Sequence, residues 1–378
     1  MKKNFLFVMA AAAMLASCSK DAAVSEPAGT GNENGVVDPT NPNSPVKIVL
    51  GASNVDASVE VDKKASRAPI TSATWVGTEV GIYGLAKDAA FNAGWQTTDN
   101  SIVLDNVVGT IAEAEAVTLT GGPYYYPADN NVHYTFYGYH PYQAGALEGQ
   151  STTVTKTFAI NGTQDIMWGK ASVDEPVTGT ADDGPYDGYN AQFFRKTTGQ
   201  KATIKFEHKL TQLNFKIKQA AGFTPGQGLQ INEIAIETYP SLDLTIADKT
   251  DATTGTIAPT PENPLEYITV KKNDTEVADA MEMDNIVNNE DGDLFGTSMM
   301  VYAAPGDQKS YKIRITLQLG EQEPVPSEVT FDLESGKDFV AGTSYNVNIS
   351  VNSMMEVTVN ATLTEWVTAD EDADIEIN

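Results

Sequence analysis

The sequence predicts an all-β chain built from two tandem antiparallel β-sandwich domains. Three observations carry that reading. Runs in which every second residue is apolar recur along the chain, clusters of Gly, Pro, Asn and Asp separate them, and no amphipathic helix of any length is legible. In the clearest run, Tyr311, Ile313, Ile315, Leu317 and Leu319 alternate with Lys312, Arg314, Thr316 and Gln318, giving one dry face and one wet face. Many short strands at close spacing pack as sheets face to face, and roughly 310 residues of them would overfill a single core.

The start of the chain reads as an export signal. Lys2 and Lys3 precede an apolar stretch, Phe5 to Leu15, that is too short to cross a bilayer stably. Residues 1–17 are assigned to a signal peptide. Leu15-Ala16-Ser17-Cys18 resembles the lipobox of bacterial lipoproteins, which implies that Cys18 becomes the lipidated, palmitate-bearing amino terminus. Residues 18–45, rich in Gly, Pro, Asn, Ser, Asp and Glu, read as a flexible tether. Strand character begins at Val46. Val46, Ile48 and Leu50 alternate as a half-buried strand should, and Val55, Val59 and Val61 extend the apolar set.

Further strands are read at Val80-Ile82, Leu242-Leu244-Ile246, Val329-Phe331-Leu333, 345–351 and 357–363. Between Ile204 and Ile217 the alternation changes phase: Ile204, Phe206 and Leu210 share one parity, and Leu213, Phe215 and Ile217 share the other. Such a slip requires a bulge or short turn near Thr211 and Gln212. The stretch Gln192 to Gln200 is taken as the boundary between an N-terminal domain, 46–199, and a C-terminal domain, 200–378.

Composition narrows the function classes. Hydrophobic residues make up 41% and charged residues 20%, as in a globular protein that neither spans a membrane nor lacks a core. Acids outnumber bases 51 to 24, a formal charge of −27 that repels nucleic acid and anionic headgroups. A single cysteine permits no intramolecular disulfide and no thiolate metal cluster.

Catalytic patterns are scarce. His133, His140 and His208 are the three histidines, each read as a core or turn residue. No nucleophile elbow, zinc-protease helix or phosphate-cradling loop occurs. Paired-acid glycoside chemistry is left open by composition, with no pair singled out. The cluster Asn288-Asn289-Glu290-Asp291-Gly292-Asp293 lacks the spacing of a calcium loop and reads as a solvated turn. The aromatic run from Tyr124 to Tyr142 suggests core strands before it suggests a sugar platform. Neither a cofactor, a metal nor an enzymatic activity is expected.

Several pieces in order resemble the fimbrillin family, the subunits of lipoprotein-derived (type V) pili. They are Ser66-Arg67-Ala68-Pro69 followed by Trp75-Val76-Gly77-Thr78-Glu79-Val80-Gly81-Ile82, then Tyr124-Tyr125-Tyr126-Pro127 with Phe136-Tyr137-Gly138-Tyr139. Asp165-Ile166-Met167-Trp168-Gly169 and Phe206-Glu207-His208-Lys209-Leu210 come next. Phe339 to Tyr345 and Ala361-Thr362-Leu363-Thr364-Glu365-Trp366 close the series. Glu79 stands where the family's aspartate is commoner. The resemblance implies transthyretin-like sandwiches and an outer-membrane lipoprotein displayed on the cell surface as a fimbrium.

It also implies a route of assembly. A trypsin-like protease cuts between Arg67 and Ala68 and removes the first strand (Val46, Ile48, Leu50), and another pilin subunit's strand fills the groove. The candidate donor is the C-terminal strand with Val357, Val359, Ala361 and Leu363. Stalk and tip roles both stay open, as does a host or bacterial surface receptor. Without the resemblance, Arg67 reads as a surface arginine before a turn. The alternative is a glycan-binding surface lipoprotein that never polymerises. Loss of residues 1–67 removes seven acids and seven bases, so the charge of −27 is unchanged and like-charged subunits must join through apolar and backbone contacts.

Overall fold

The computed structural model describes residues 44–54, 70, 74–128, 131–171, 173, 188–197, 200–286, 292–303, 309–333, 336–354 and 356–364. The signal peptide, Cys18, nearly all of the tether, Val55, Val59, Val61, Arg67, Ala68, Asn288 to Asp291 and Trp366 lie outside the described residues. Among the described residues the chain is all-β. The first half carries β1 (Leu50–Asn54), β2 (Glu79–Ala86), β3 (Ile102–Ala112), β4 (Ala116–Leu119), β5 (Tyr134–His140), β6 (Thr153–Ala159), β7 (Met167–Ala171), one short helix α1 (Ala191–Lys196) and β8 (Ala202–His208). The second carries β9 (Thr211–Gln219), β10 (Leu229–Thr238), β11 (Ser241–Asp248), β12 (Ile257–Pro259), β13 (Glu266–Thr269), β14 (Met281–Glu282), β15 (Asp293–Leu294), β16 (Met299–Val301), β17 (Ser310–Leu319), β18 (Val325–Asp332), β19 (Ser344–Ser353) and β20 (Glu356–Thr364).

Seven strands of the first half close into a barrel in the order β1-β4-β3-β2-β5-β7-β8. The expectation of two separate sheets is modified here, because β1 lies parallel to β8 from Leu50 opposite Ala202 to Asn54 opposite Phe206, and also antiparallel to β4. Period-two patterning fills the interior with Leu50, Ile82, Leu104, Phe136, Ile204 and Phe206. The barrel's outer face is partly dry as well. Tyr83, Leu85, Tyr137, Tyr139 and Trp168 pack there against Leu242, Leu244 and Ile246. Strands covered on both faces read as near-continuous apolar runs, and the first six residues of β5 are all buried.

The second half is a β-sandwich. One sheet runs β13-β10-β17-β18 with β14 beside β10; the other runs β15-β9-β19-β20 with β16 beside β9. Their inner faces meet in one core that includes Phe215, Ile217, Ile313, Ile315, Val347 and Ile349. Along β17 the alternation is strict: Tyr311, Ile313, Ile315 and Leu317 are buried. In β10 a bulge at Asn232 lets Ile231 and Ile234 both face inward.

The phase slip lies where the chain changes layer. β8 completes the barrel, Lys209 and Leu210 cross over, and β9 opens the sandwich of the second half. The crossing is tied down by Lys209 N–H donating to Ile166 C=O (2.7 Å) and Gly342 N–H donating to Leu210 C=O (2.8 Å). β6 leaves the barrel to pair with β11, making a three-stranded sheet β12-β11-β6 that draws on both halves.

Candidate functional site

The first strand lies in a seam of the barrel. Val46, Ile48 and Leu50 are 1%, 3% and 1% exposed, whereas Lys47 and Val49 point outward. On one side Ile48 N–H donates to Tyr124 C=O (2.8 Å), and Tyr126 N–H donates to Val46 C=O (2.9 Å). Leu50 and Gly51 then pair with Val117 and Ala116 of β4. On the other side runs the parallel ladder to β8. Gly51 is needed for close approach, since a Cβ there would lie 2.8 Å from both Lys201 Cε and Thr203 Oγ1.

Aromatic rings floor the seam. Trp75 meets Phe206 edge-on at 5.2 Å, and Tyr126 stacks on Phe194 at 5.4 Å. Phe194 and Phe193 come from α1, whose first turn is capped by Asn190 Oδ1 accepting from Phe193 N–H (2.8 Å). From the same helix Arg195 Nη2 donates to Ser44 C=O at 2.7 Å, holding the point where the chain enters the seam. Burying Val46, Ile48 and Leu50 stabilises the barrel by roughly 1.5–3 kcal/mol each. The seam without its strand would expose that apolar surface together with unpaired edge groups on β4 and β8.

The C-terminal strand is held differently. β20 pairs antiparallel with β19 from Ser344 opposite Thr364 to Ser353 opposite Glu356, and it ends its sheet. Ala361 is fully buried, Val357 and Val359 are half-buried, and Leu363 is 69% exposed although its parity faces inward.

The three histidines each make a structural link. His133 Nδ1 lies 2.8 Å from Asp88 Oδ1, and its backbone N–H donates to Asp88 Oδ2 at 2.7 Å. His140 Nδ1 lies 2.8 Å from Glu79 C=O. His208, at the end of β8, has Nδ1 within 2.9–3.0 Å of both Asp165 carboxylate oxygens, and the same carboxylate accepts from Ile70 N–H at 2.9 Å. Among the described residues no cluster of three or more His, Cys, Asp or Glu is placed to hold a metal. Of the cation candidate, only Gly292 and Asp293 fall within the described residues. Tyr126, Tyr134, Phe136, Tyr137 and Tyr139 pack in the cores, and Tyr125 is the exposed member of the run at 39%. A cleft of about 340 Å³ is bordered by Glu237 of β10, Lys312 of β17, Tyr239 and Tyr302.

Sequence reasoning did not pair Asp165 with His208 or Arg195 with Ser44. Asp165 and His208 each stood as a polar residue inside an apolar motif, and that was the available signal.

A strand seated between two barrel neighbours and a second strand on a sandwich edge define an all-β protein whose first element completes its own N-terminal barrel. The chain belongs to the fimbrillin-like family, whose sequence profile matches residues 66–366. Membership marks it as a fimbrial-type surface protein that works with other subunits in a structural role.

Solved structures of similar fold include candidate cell adhesion proteins from Bacteroides uniformis and Bacteroides ovatus. The first is 17% identical over 85% of this chain and 98% of that one, with a TM-score of 0.47. The second is 14% identical over 86% and 100%, with a TM-score of 0.47. A fimbrial protein from Bacteroides vulgatus is 14% identical over 85% and 99%, also with a TM-score of 0.47. No curated protein matches the chain by sequence.

Proposed function

We propose that the chain is a stalk or tip subunit of a surface adhesive pilus, exported to the outer membrane as a lipoprotein through Cys18. It consists of two transthyretin-like units in tandem. A trypsin-like protease matures it between Arg67 and Ala68, and subunits join by strand exchange. The strand bearing Val46, Ile48 and Leu50 leaves its seam, and a strand of another subunit enters. The C-terminal strand with Val357, Val359, Ala361 and Leu363 is the donor.

One observation carries this reading: upstream of Arg67, Val46, Ile48, Leu50 and Ala52 are buried in the barrel, and the chain that joins them to the rest of it passes through Arg67. An intruding strand restores both the apolar contacts and the backbone ladder, so a like-charged subunit can bind without attractive surface charge. The test has two readouts. The amino terminus of the protein on native cells is expected to be Ala68, and purified full chain treated with trypsin is expected to form oligomer ladders on unboiled gels. A lipidated Cys18 terminus in assembled fimbriae, or a cut chain that stays monomeric, would leave the non-polymerising, glycan-binding lipoprotein as the better reading.

A further inference from the structure

The Asp165–His208 pair joins two strand ends and reaches across to the start of the matured chain. Asp165 immediately precedes the Ile166-Met167 entry into β7, His208 ends β8 opposite Met167, and both side chains are 5% exposed. An ionisable pair is costly to bury, and apolar residues of similar volume would fill the space at least as well. What apolar residues cannot do is accept a backbone amide, and Asp165 Oδ2 accepts that of Ile70. Trp75, five residues on, sits with its ring edge-on to Phe206. Ile70 and Trp75 are thus both anchored at the C-terminal end of β8 by a hydrogen bond to Asp165 and a ring contact with Phe206, and their side chains also share the apolar core of the first strand. Among the described residues the first strand is paired with β8 up to Asn54 opposite Phe206, and Ile70, the next described residue, lies on Asp165 beside His208.

We propose that the Asp165–His208 pair is a clasp on the matured amino end. It holds Ile70 to the barrel, so that a cut after Arg67 frees the upstream strand while the new terminus stays beside the opened seam. The proposal rests on the maturation reading above. Ala68 lies two residues before Ile70, which keeps the new amino group within about 7 Å of the Ile70 amide and about 10 Å of the Asp165 carboxylate. Asp165 and His208 are positioning residues: they fix the backbone that borders the seam and touch no reacting atom.

The test uses the full chain, cut in vitro with trypsin, and reads amide hydrogen exchange at Ile70 by NMR. In the natural sequence, protection at Ile70 is expected to change less than threefold on cutting. Asp165→Ala should speed exchange at Ile70 at least tenfold, with Phe136 in β5 unchanged. Cut Asp165→Ala protein should also recapture a synthetic peptide of residues 44–61 at least tenfold more weakly. Asp165→Asn, which keeps an oxygen acceptor, should fall between the two, and it supplies the comparison if Asp165→Ala disturbs the exchange of Phe136. Loss of Ile70 protection on cutting the natural sequence would overturn the clasp, as would unchanged protection in Asp165→Ala. A native terminus other than Ala68, with these exchange results as expected, would sink the maturation reading and with it the clasp's role at a matured end, while the hold of Asp165 on Ile70 would stand.

Discussion

Tyr139 shows how far burial sets the chemistry of single residues. Its hydroxyl lies 2.7 Å from Asn106 Oδ1 and 2.9 Å from Gln143 C=O, with one proton to share between them, and burial pushes its pKa up to about 12. Tyr83, stacked on it at 6.3 Å, and Tyr126, Tyr137 and Tyr311 move in the same direction, desolvation being the largest cause in each. The sign follows from proton counting. Below pH 10 these phenols are neutral in both folded and unfolded chains and add no pH dependence. Above it the unfolded chain gives up protons that the folded chain keeps, so stability falls as pH rises through 10 to 12 and beyond. Absorbance titration of the fifteen tyrosines is expected to show exposed phenols near pH 10 and a later group that ionises together with loss of the near-ultraviolet circular dichroism. A single reversible wave near pH 10 with the fold intact would contradict the burial described.

At the scale of elements, the first and last strands differ in how firmly they are held. Ile48 is buried and bonded through its backbone to Tyr124, whereas Leu363 faces solvent at the end of an edge strand. Ile48→Asp places an unpaired carboxylate in the seam and is expected to lower stability by about 3 kcal/mol or more. Leu363→Ser is expected to stay within about 0.5 kcal/mol in the monomer. Urea midpoints of the two variants measure the contrast, and equal losses would mean that the C-terminal strand is as deeply seated as the first.

This contrast also marks what the sequence could tell. Val46, Ile48 and Leu50 announced a half-buried strand because period two is a local signal. The parallel partner β8 could not be read, since nothing local indicates which strand 150 residues away will close a barrel. The phase slip before Leu213 was visible, but its cause, a change of layer at Lys209 and Leu210, is tertiary. Asp165 and His208 stand 43 residues apart, and only the antiparallel pairing of β7 with β8 brings them together.

For the whole molecule, the question is whether two tandem units behave as two. The pairing of β6 with β11 argues that they do not. Val154 and Phe158 of β6 belong by sequence to the first half, yet they pack with Leu242, Leu244 and Ile246 of the second, under the barrel's Tyr137, Tyr139 and Trp168. Trp168 Nε1 donates to Ile246 C=O (2.9 Å), Lys249 Nζ donates to Ala86 C=O (2.7 Å), and Met300 N–H donates to Gly162 C=O (2.8 Å). Separating the halves would expose an apolar face on each and leave β6 without its ladder, a cost set against the marginal stability of any single domain. Heat or urea is therefore expected to unfold the full chain in one cooperative transition, with calorimetric and van't Hoff enthalpies equal. Phe158→Ala, which removes a shared core residue, should lower that one midpoint by about 3–5 kcal/mol equivalent without splitting it. If each half instead melted at its own temperature, with Phe158→Ala moving only one of the two, the shared core would not be what binds them.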